Sequence, residues 1–565
     1  AFWFMNNSFK CSPRVGVILT AIADSDTSDF FGFGVILDSK RKILGITTLK
    51  ELAVMILEDP SIVSKSIEQY CTRDFVYVVM EKNGLLNKGS AIKKMALRKN
   101  KTGRVRFVPI IDQEGFLLDV RPFDEIFSAT ENFSIAVYGL GFVGLTLFAA
   151  LSSRGFSCIG VEKSTETANK LKSENLPVLE DGLDELFSNL DLGNRICTHK
   201  SMDISSNTKI ICVGTDINDK FQVNEEPLRV VTTQISEDLK VGDLVILRST
   251  VPVGFTRILI TEILEKNSGL RAGKDFYVAF CPERTVEGKA IQEIYELPQI
   301  IGGFSSTCSE KAAQLFDELA STTVITESLE AAEFVKLLNN SFRDLSFAFA
   351  NEVIFHADRF NLDATKLIND ANYQYPRNKI AMPSPGVGGY CLTKDPFIYS
   401  QIAIDANSTL SSLGRRVNTE AQQYPLKKFI QHVEKRKLKM SDLVVGVLGV
   451  AFKGIPDTND IRGSSGLQLA TDLAKLVKQV KVSDPNINFD DTNIDFIDVT
   501  SEKIFKDCNA VFIMNNNPRL IGKAWQAISK KDKDFFLFDG WLNLVDTIPS
   551  TYIQKITLCT LGKVH

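Results

Sequence analysis

The sequence predicts an α/β protein in which two parallel-sheet domains are joined by a long central helix and preceded by an α+β repeat module. Three observations lead to this fold class. Short apolar strands alternate with helical stretches from residue 131 onward, which is typical of βαβ units. A second alternation of the same kind begins near residue 442. Between them, helical periodicity continues from Glu327 to about Phe360, which is long enough to connect two domains.

The length and the composition limit the function. A chain of 565 residues is too long for a single hydrophobic core, so several domains are expected. The net charge of −4 and the charged content of 24% favour neither a nucleic acid nor an anionic membrane as partner. We expect no membrane association, because no apolar run reaches the length of a bilayer span. The chain starts at Ala1 without an initiator Met or a signal-peptide layout, so we expect it to begin inside a longer protein.

Cysteine and histidine form no metal-binding pattern. The ten cysteines are scattered, without a Cys-x-x-Cys pair or a zinc-like cluster, so no metal is expected. Reduced thiols of this kind are typical of a cytoplasmic protein. The four histidines stand in no recognisable motif. Covalent and acid–base chemistry is therefore expected from Cys, Lys and carboxylate side chains.

Residues 1–130 contain an internal repeat. Gly34–Asp38 and Lys42–Thr48 predict a hairpin that runs into a helix starting near Leu49. Paired repeats of this size usually share a core. The strand, strand and helix of the second copy are Val108–Asp112, Gly115–Asp119 and Asp124–Phe127.

The repeat resembles a tandem pair of cystathionine-β-synthase (CBS) domains, truncated at its N-terminus. The resemblance implies a regulatory module, which often binds an adenine nucleotide. The usual Ser/Thr-x-x-Asp ribose contact is altered, because the copies read Thr48-x-x-Glu51 and Arg121-x-x-Asp124. We therefore favour a structural or dimerising role over ligand binding.

Three domains are expected after the repeat. Residues 131–326 predict a Rossmann-like domain, 327–430 a central helical domain, and 431–565 a second Rossmann-like domain. The central helix carries apolar residues on several faces, which predicts a bridge between domains or a subunit interface. The expected strands of the two series are Ile135–Tyr138, Ser157–Val161, Lys209–Val213 and Leu244–Leu247, then Leu443–Leu448, Lys478–Val482, Ala510–Met514 and Phe535–Phe538.

A glycine-rich turn follows the first of these strands. Gly139 permits a tight turn, Gly141 lets the backbone approach a pyrophosphate, and Gly144 lets helix and strand pack closely. Glu162 ends the next strand, at the distance expected for a ribose contact. Its charge disfavours a 2′-phosphate, so NAD is the expected cofactor. The predicted contacts are Gly139, Gly141, Phe142, Val143, Gly144 and Glu162.

The stretch around Cys391 is the most informative for chemistry. Cys391 follows Gly388 and Gly389, which would let the backbone pass close to a ligand. A helix beginning here would help to stabilise a thiolate through its N-terminal dipole. Asp395 would lie one turn further on the same face. Cys391 is therefore expected to be a catalytic residue.

Polar residues elsewhere are expected to complete this site. Lys336 and Asn340 are four residues apart on the long helix, so both project from one side of it. The apolar neighbours of Lys336 argue against a solvated face for that side chain. The other candidates are Ser249, Thr250, Glu283 and Glu287.

Taken in order, these segments resemble the UDP-glucose/GDP-mannose dehydrogenase family, from about residue 134 to about residue 545. The resemblance implies an N-terminal NAD domain, a central helix that forms a homodimer, and a C-terminal domain that shares the nucleotide-sugar site. It also implies a role in making polysaccharide precursors. The further matching segments are Ile211-Cys-Val-Gly-Thr215, Gly449-Val-Ala-Phe-Lys453, Asp460-Ile-Arg462 and Phe538-Asp539-Gly540.

The same resemblance implies a four-electron oxidation at C6 of the sugar, which consumes two NAD and one water. Cys391 would form a thiohemiacetal and then a thioester. Lys336, assisted by Asn340, would stabilise oxyanion charge. Asp395, Thr250 and an ordered water would handle protons.

The remaining implied roles concern hydrolysis and binding. Glu287 would help to activate the hydrolytic water, whereas the role of Glu283 stays open. Arg377 would reach the site of a neighbouring subunit. The implied cofactor contacts include Thr215, Ser249 and Thr250, and the implied substrate contacts are Glu283, Lys336, Asn340, Arg377, Gly388, Gly389, Lys453 and Arg462.

Departures from the family pattern leave the sugar open. Tyr390 and Lys394 stand where the UDP-glucose pattern has Ser and Lys, whereas Asp395-Pro396 follows the pattern of enzymes for N-acetylated sugars. A UDP-N-acetylhexosamine such as UDP-N-acetylmannosamine is favoured, with UDP-glucose as the alternative. Arg284, Val286 and Trp541 also depart from the family pattern.

Two other functions remain open. A two-electron hydroxyacid or sugar-acid dehydrogenase would share the first Rossmann-like domain, the long helix and Lys336, but would need neither Cys391 nor a second such domain. A non-catalytic relative could sense nucleotides through the CBS-like pair. The complete set of candidate catalytic residues argues against the second alternative.

Overall fold

The computed structural model describes residues 133–565 except 199–205, 219–220, 404, 490–495, 523, 543 and 545–548. Before residue 133 it describes 9–10, 33–38, 42–48, 78–80, 86–87 and 107–122, with single residues between 55 and 77. Within these ranges, no helix has both the length and the apolar character needed to cross a membrane.

Two small sheets form the N-terminal part of the molecule. Their strands are β1 (Phe9–Lys10), β2 (Phe33–Leu37), β3 (Ile43–Thr48), β4 (Val78–Met80), β5 (Leu86–Asn87), β6 (Phe107–Ile111) and β7 (Leu117–Pro122). The first sheet has the order β1-β2-β3 and the second the order β5-β4-β6-β7. In both, a strand lies parallel to the first strand of a hairpin. The two halves therefore repeat one topology, and the predicted hairpins are confirmed.

The residues that flank the two hairpin connections form equivalent hydrogen bonds. Asp38 Oδ1 accepts a hydrogen bond from Lys42 N at 2.8 Å, and Asp112 Oδ1 accepts one from Phe116 N at 2.9 Å. Lys42 and Phe116, which occupy equivalent positions, also form an antiparallel bridge with each other. The equivalent positions of the repeat thus face each other.

The two hairpins share a small core. Val35 and Leu37 of the first hairpin lie in one buried cluster with Val120 of the second. The helices predicted from Leu49 onward and at Asp124–Phe127 lie outside the described residues.

An eight-stranded sheet follows. Its strands are β8 (Ser134–Tyr138), β9 (Ser157–Val161), β10 (Ile196–Cys197), β11 (Thr208–Ile211), β12 (Leu244–Leu247), β13 (Tyr277–Phe280), β14 (Gln299–Gly303) and β15 (Thr323–Ile325). The order is β10-β9-β8-β11-β12-β13-β14-β15. Only the β13–β14 pairing is antiparallel. The order reverses between β8 and β11, where open α/β sheets bind their ligands outside the carboxyl ends of the strands.

Helices cover both faces of this sheet, which is why β11 and β12 are buried along their whole length. The helices are α1 (Phe142–Ser153), α2 (Thr165–Lys172), α3 (Leu183–Asn189), α4 (Glu226–Glu237), α5 (Glu262–Ser268), α6 (Ala290–Glu296) and α7 (Ser306–Phe316).

The predicted long helix is confirmed as α8, Leu329–Asp358, which has 30 residues. It begins at Ser328, whose Oγ accepts a hydrogen bond from Ala331 N at 3.2 Å. Ala332 lies in the core of the eight-stranded sheet, and Ile354 lies in the core of the C-terminal sheet. The helix therefore bridges the two sheets. It is followed by α9 (Ala364–Asn372), α10 (Tyr390–Ser400) and α11 (Leu410–Arg436).

A second, mostly parallel sheet ends the chain. Its strands are β16 (Val444–Leu448), β17 (Gln479–Ser483), β18 (Ile497–Asp498), β19 (Ala510–Ile513), β20 (Phe536–Asp539), β21 (Thr557–Thr560) and β22 (Lys563–Val564). Their order is β18-β17-β16-β19-β20-β21-β22, and only β22 is antiparallel to its neighbour. The accompanying helices are α12 (Ser465–Ala474), α13 (Ser501–Asp507) and α14 (Ser550–Ile553). The two predicted Rossmann-like sheets are thus confirmed.

Candidate active site

The glycine-rich turn after β8 has the geometry of a dinucleotide-binding loop. Gly139 has a φ of +88°, which side-chain-bearing residues rarely adopt. A Cβ atom at Gly144 would lie 1.9 Å from Gly139 O, so helix α1 can approach the turn only with glycine there. Gly141 directly precedes Phe142, the first residue of α1. The N-terminus of this helix offers free N–H groups to phosphates.

A cavity of about 940 Å³ opens in front of this turn. Residues 139–142 and Glu162 line it, whereas Val143 and Gly144 do not. The opposite wall comes from Glu287 and residues 458–462. The cavity therefore lies between the eight-stranded sheet and a loop of the C-terminal part.

Glu162 lies at the end of β9 beside the cavity. Its carboxylate accepts hydrogen bonds from Leu140 N and Ser164 N, each at 3.0 Å. The carboxylate is therefore fixed where the first βα turn ends. A fixed negative charge here suits the ribose hydroxyls of NAD and repels the 2′-phosphate of NADP. The turn, the cavity and this carboxylate together fit NAD.

The predicted hydroxyl residues brace the loops at the ends of β11 and β12. Thr215 Oγ1 donates a hydrogen bond to Thr250 O at 2.7 Å, and Ser249 Oγ donates one to Val213 O at 2.7 Å. Both hydroxyls are therefore engaged with the main chain. Thr250 itself is half-buried.

The predicted nucleophile differs from the other cysteines in its exposure. Cys391 is exposed, whereas seven other described cysteines are buried and Cys71 is half-buried. The helix expected at this position is confirmed, because α10 begins at Tyr390. Desolvation by the surrounding protein atoms raises the pKa of the Cys391 thiol. The positive charge of Lys336 lowers this pKa, whereas the negative charge of Asp395 raises it. The expected stabilisation of a thiolate is therefore outweighed, and the group is a thiol until a base removes its proton.

Asp395 is fully buried beneath Cys391 and is held by two partners. Asn340 Nδ2 donates to its Oδ2 at 2.6 Å, and Lys394 Nζ donates to its Oδ1 at 2.8 Å. The structure thus brings together two predicted residues from α8 and α10. Lys394 was predicted only as a family marker, but it neutralises the buried carboxylate.

Lys336 is held by the segment that contains Glu283. Its Nζ donates a hydrogen bond to Glu283 O. The Glu283 carboxylate is turned away, since it pairs with the buried Arg248 at 2.5 Å and accepts from Thr285 N at 2.8 Å. Burial alone would raise the pKa of Glu283. The charge of Arg248 and the hydrogen bond from Thr285 N have a larger, opposite effect, so the pKa of Glu283 is lowered. Glu283 therefore shapes the loop that orients Lys336.

Glu287 lines the cavity where the NAD-binding side meets the loop 458–462. Its Oε2 accepts from Thr458 Oγ1 at 2.9 Å, and its main-chain oxygen accepts from Lys453 Nζ at 2.5 Å. Arg462 lies 3.8 Å from its Oε1. Burial, together with the charge of Asp460, raises the pKa of Glu287 to about 7. A carboxyl group with this pKa can act as a base at neutral pH.

The other predicted substrate contacts are distributed unevenly. A Cβ atom at Gly388 would lie 2.5 Å from Gly463 O, so this glycine lets two loops touch. Gly389 N donates to Arg462 O at 3.1 Å. Arg462 itself lines the cofactor cavity, on the wall opposite the glycine-rich turn. Arg377 is exposed, and its guanidinium lies over the ring of Tyr375.

Several residues that shape the site were not predicted. Arg248 ends an apolar strand segment, and this placement of a charge was a usable signal. Glu333, one turn before Lys336, accepts hydrogen bonds from Gly254 N and Thr256 N and so holds the loop after Thr250. Among the residues described, no group of three or more His, Cys, Asp or Glu side chains is arranged to hold a metal.

Comparison with known proteins identifies this arrangement. Three domain profiles of the UDP-glucose/GDP-mannose dehydrogenase family match: the NAD binding domain over residues 133–320, the central domain over 330–420 and the UDP binding domain over 446–547. These ranges are the NAD-binding, central and UDP-binding domains of the chain.

Individual relatives agree with these matches. A UDP-N-acetyl-D-mannosamine dehydrogenase of Pyrococcus horikoshii is 31% identical over 423 residues, covering 74% of this chain and 98% of the relative. An NDP-N-acetyl-D-galactosaminuronic acid dehydrogenase of Ralstonia solanacearum is 31% identical, covering 63% and 83%. The solved structure of UDP-D-ManNAc dehydrogenase from Pyrococcus horikoshii has a TM-score of 0.67 at 29% identity, covering 76% and 99%. The chain therefore belongs to the UDP-glucose/GDP-mannose dehydrogenase family and is an NAD-dependent UDP-sugar dehydrogenase.

Proposed function

We propose that this enzyme oxidises C6 of a UDP-N-acetylhexosamine to a carboxylate in two NAD-dependent steps, with Cys391 as covalent catalyst. One observation carries the proposal. The exposed thiol lies within electrostatic reach of Lys336, Asp395, Lys394 and Glu287. A simple alcohol dehydrogenase needs no thiol in such a setting.

The first oxidation converts the C6 alcohol into an aldehyde. Bound NAD supplies the hydride acceptor in both oxidations. The hydroxyl proton passes to Asp395 through Thr250 and an ordered water as the C6–H bond breaks. Lys336 stabilises the charge that develops on the C6 oxygen, an effect worth roughly a few kcal/mol. Asn340 keeps Asp395 in place.

The second oxidation takes place on the protein. The Cys391 sulfur adds to the aldehyde carbon while its thiol proton passes to the aldehyde oxygen, which gives a thiohemiacetal. Loss of a second hydride to NAD and of the hydroxyl proton to solvent then gives a thioester. Water then attacks the thioester carbon, Glu287 takes the water proton, and the thiol leaves. The whole sequence removes two hydrides and adds the oxygen of one water, which yields the carboxylate.

The sugar is proposed from the relatives. UDP-N-acetylmannosamine is the first candidate, because the Pyrococcus relative that covers most of this chain is a UDP-N-acetyl-D-mannosamine dehydrogenase. The Ralstonia relative has the same identity and a name that refers to another N-acetylated sugar. Both names favour an N-acetyl group over UDP-glucose. The product would be a precursor for polysaccharide synthesis in the cytoplasm.

The deciding experiment is a panel of UDP-sugars with NAD. We expect two NADH per sugar and a uronic acid, identified by mass spectrometry, with UDP-N-acetylmannosamine as the best substrate. One NADH per sugar would favour the two-electron alternative. Tight binding without turnover of any UDP- or GDP-sugar would favour a nucleotide sensor.

We also propose a homodimer through α8. Phe342 and Phe349 on this helix are 73% and 56% exposed, which is unusual for large apolar side chains on a stable surface. Phe349→Glu should shift the sedimentation coefficient towards that of a monomer. Ile258→Glu is the control, because Ile258 is also exposed but lies in the NAD-binding domain. A monomeric wild-type protein would contradict the dimer.

For the N-terminal repeat we propose a CBS-like pair with a structural or dimerising role. The repeated topology and the bridge between Lys42 and Phe116 support a paired module. Thermal shift with AMP or ATP at saturating NAD, which blocks the cofactor cavity, tests for a ligand. No shift is expected, and a concentration-dependent rise in Tm would assign an adenine nucleotide to the module.

A further inference from the structure

Tyr390 connects three parts of the molecule at the residue next to Cys391. Its hydroxyl donates a hydrogen bond to Asp216 Oδ1 at 2.7 Å, which reaches the NAD-binding domain. Its ring faces the guanidinium of Arg462 in the UDP-binding domain, with Cζ 4.3 Å from the ring centroid. Tyr390 is also the first residue of α10. The start of the helix that carries the nucleophile is thus tied to the domains on either side.

The hydroxyl of Tyr390 also lies close to the wall of the cofactor cavity. A Cβ atom at Gly214 would lie 3.6 Å from the Tyr390 hydroxyl oxygen. Gly214 and Arg462 both line the cavity. Burial and Asp216 raise the pKa of Tyr390, so the phenol keeps its proton and remains a donor. The distance between α10 and the cavity is therefore set through this side chain.

A second contact fastens the same loop further along α10. The ring of Phe221 stacks on Phe397, with centroids 3.9 Å apart and an interplanar angle of 14°. Gln401 Nε2 donates a hydrogen bond to Phe221 O. Asp216 and Phe221 both belong to the loop that follows β11. The loop therefore contacts α10 near its first and its last turn.

We propose that Tyr390 and Asp216 form a latch that fixes the thiol of Cys391 against the cofactor cavity. Tyr390 is then a positioning residue, which acts through Cys391. The inference rests on the proposed function, since only the thioester route uses this thiol. The first oxidation needs no sulfur, so loss of the latch should spare it and slow the second.

The latch is tested with Tyr390→Phe, Asp216→Ala and the double variant. Each single variant should slow carboxylate formation about tenfold, which is the typical effect of losing one hydrogen bond to a charged group. KM for the UDP-sugar and for NAD should stay within about twofold, and more aldehyde should be trapped by a hydroxylamine reagent. The double variant should be no slower than the single ones, because both remove the same contact. Asp216→Asn keeps an acceptor and should recover most of the rate.

Two controls separate positioning from general damage. Tyr399→Phe changes the same helix at a ring that meets Phe334 at 5.9 Å, and it should behave as wild type. The rate of alkylation of Cys391 by iodoacetamide, followed by mass spectrometry, should rise at least about threefold in Tyr390→Phe, because a released helix start is more accessible.

The outcomes also separate this inference from the proposed function. A wild-type enzyme that yields one NADH per sugar would remove the thioester route, and the latch with it. A wild type that yields two NADH, with Tyr390→Phe unchanged in rate and alkylation, would overturn the latch alone. Multiplicative effects of the two single variants would also overturn it.

Discussion

At the scale of single residues, the proposed mechanism depends on how the thiol of Cys391 loses its proton. Although Cys391 is exposed, desolvation by the protein atoms packed around it raises the pKa of its thiol, and the ammonium groups of Lys336 and Lys394 oppose that effect. The N-terminus of α10 adds a partial positive charge. When the sulfur adds to an aldehyde, its proton leaves and the nearby positive charges stabilise the ionised form. The site therefore favours a thiolate during the reaction rather than before it.

Removing the thiol should separate the two oxidations. Cys391→Ala is expected to reduce carboxylate formation at least about 10³-fold, as is typical when a nucleophile is lost. NADH production should fall from two to at most one per sugar, because the aldehyde has no sulfur to which it can bind. Cys71→Ala is the control, since Cys71 lies outside the candidate site. Uronic acid made at the wild-type rate by Cys391→Ala would contradict covalent catalysis.

The ionisation of Glu287 should appear in the pH dependence. Burial and Asp460 raise the pKa of Glu287 to about 7, and a base is active only when ionised. The rate of thioester hydrolysis should therefore rise with pH and reach half its plateau near pH 7. Glu287→Gln should lower the plateau and remove this rise in single-turnover measurements.

Glu180 provides the matched control for this experiment. Burial raises the pKa of Glu180 to about 7 as well, but its carboxylate accepts from Gly288 N at 2.6 Å and does not line the cavity. Glu180→Gln should keep the rise near pH 7. If the rise near pH 7 disappeared in Glu180→Gln but persisted in Glu287→Gln, the titrating carboxyl group would be that of Glu180. This result would contradict the proposed role of Glu287.

Local sequence predicted the reactive groups better than their partners. Cys391 and Asp395 lie in one short segment, and Lys336 and Asn340 share one helix, so spacing alone predicts that each pair lies on one face. The pairing of Glu283 with Arg248 could not be predicted in this way, because it joins the ends of two neighbouring strands. The desolvation that raises the pKa of Cys391 could not be predicted from local sequence either.

At the scale of elements, α8 positions the site by joining its two sides. The helix enters the core of the NAD-binding domain at Leu329 and presents Lys336 about two turns later and Asn340 about three turns later. Periodicity predicted this helix and most strands within two residues, since both depend on local patterns. It did not reveal what α8 packs against. Glu333 is an example: it belongs to α8, but the groups that donate hydrogen bonds to its carboxylate lie on the loop after Thr250.

Glu333 should therefore contribute to stability as well as to loop geometry. Its carboxylate accepts from Gly254 N at 2.5 Å, Thr256 N at 2.8 Å and Thr256 Oγ1 at 2.5 Å. Glu333→Ala leaves these donors buried and should lower the free energy of unfolding by about 2 kcal/mol. Glu330→Ala is the control, since its ion pair with Arg257 is partly exposed and worth about 0–1 kcal/mol. Equal losses in denaturant unfolding would show that the buried carboxylate has no special role.

At the scale of the whole molecule, the cofactor cavity is closed by the UDP-binding domain. Asn459 accepts a hydrogen bond from Leu179 N at 3.1 Å and donates one to Pro177 O at 3.1 Å. Residues 458–462 thereby cover a cavity whose floor is the turn at Gly139. A contact between such distant parts of the chain could not be predicted from local patterns. The proposed four-electron oxidation would use two NAD molecules in this cavity for each sugar, and we therefore expect the cover to open between the two oxidations.

Loss of the contact at Asn459 should therefore speed the release of NADH. Asn459→Ala removes two neutral hydrogen bonds and should raise the Kd for NADH about fivefold, mainly through the dissociation rate measured by stopped-flow fluorescence. Asn361→Ala is the control, because Asn361 also binds main chain twice, at Val564 N and O, but lies outside the cavity. If both variants release NADH at the wild-type rate, the loop does not cover the cofactor. If only Asn459→Ala is faster, and its second oxidation keeps pace, opening of this cover is the step that exchanges the cofactor while the sugar stays bound.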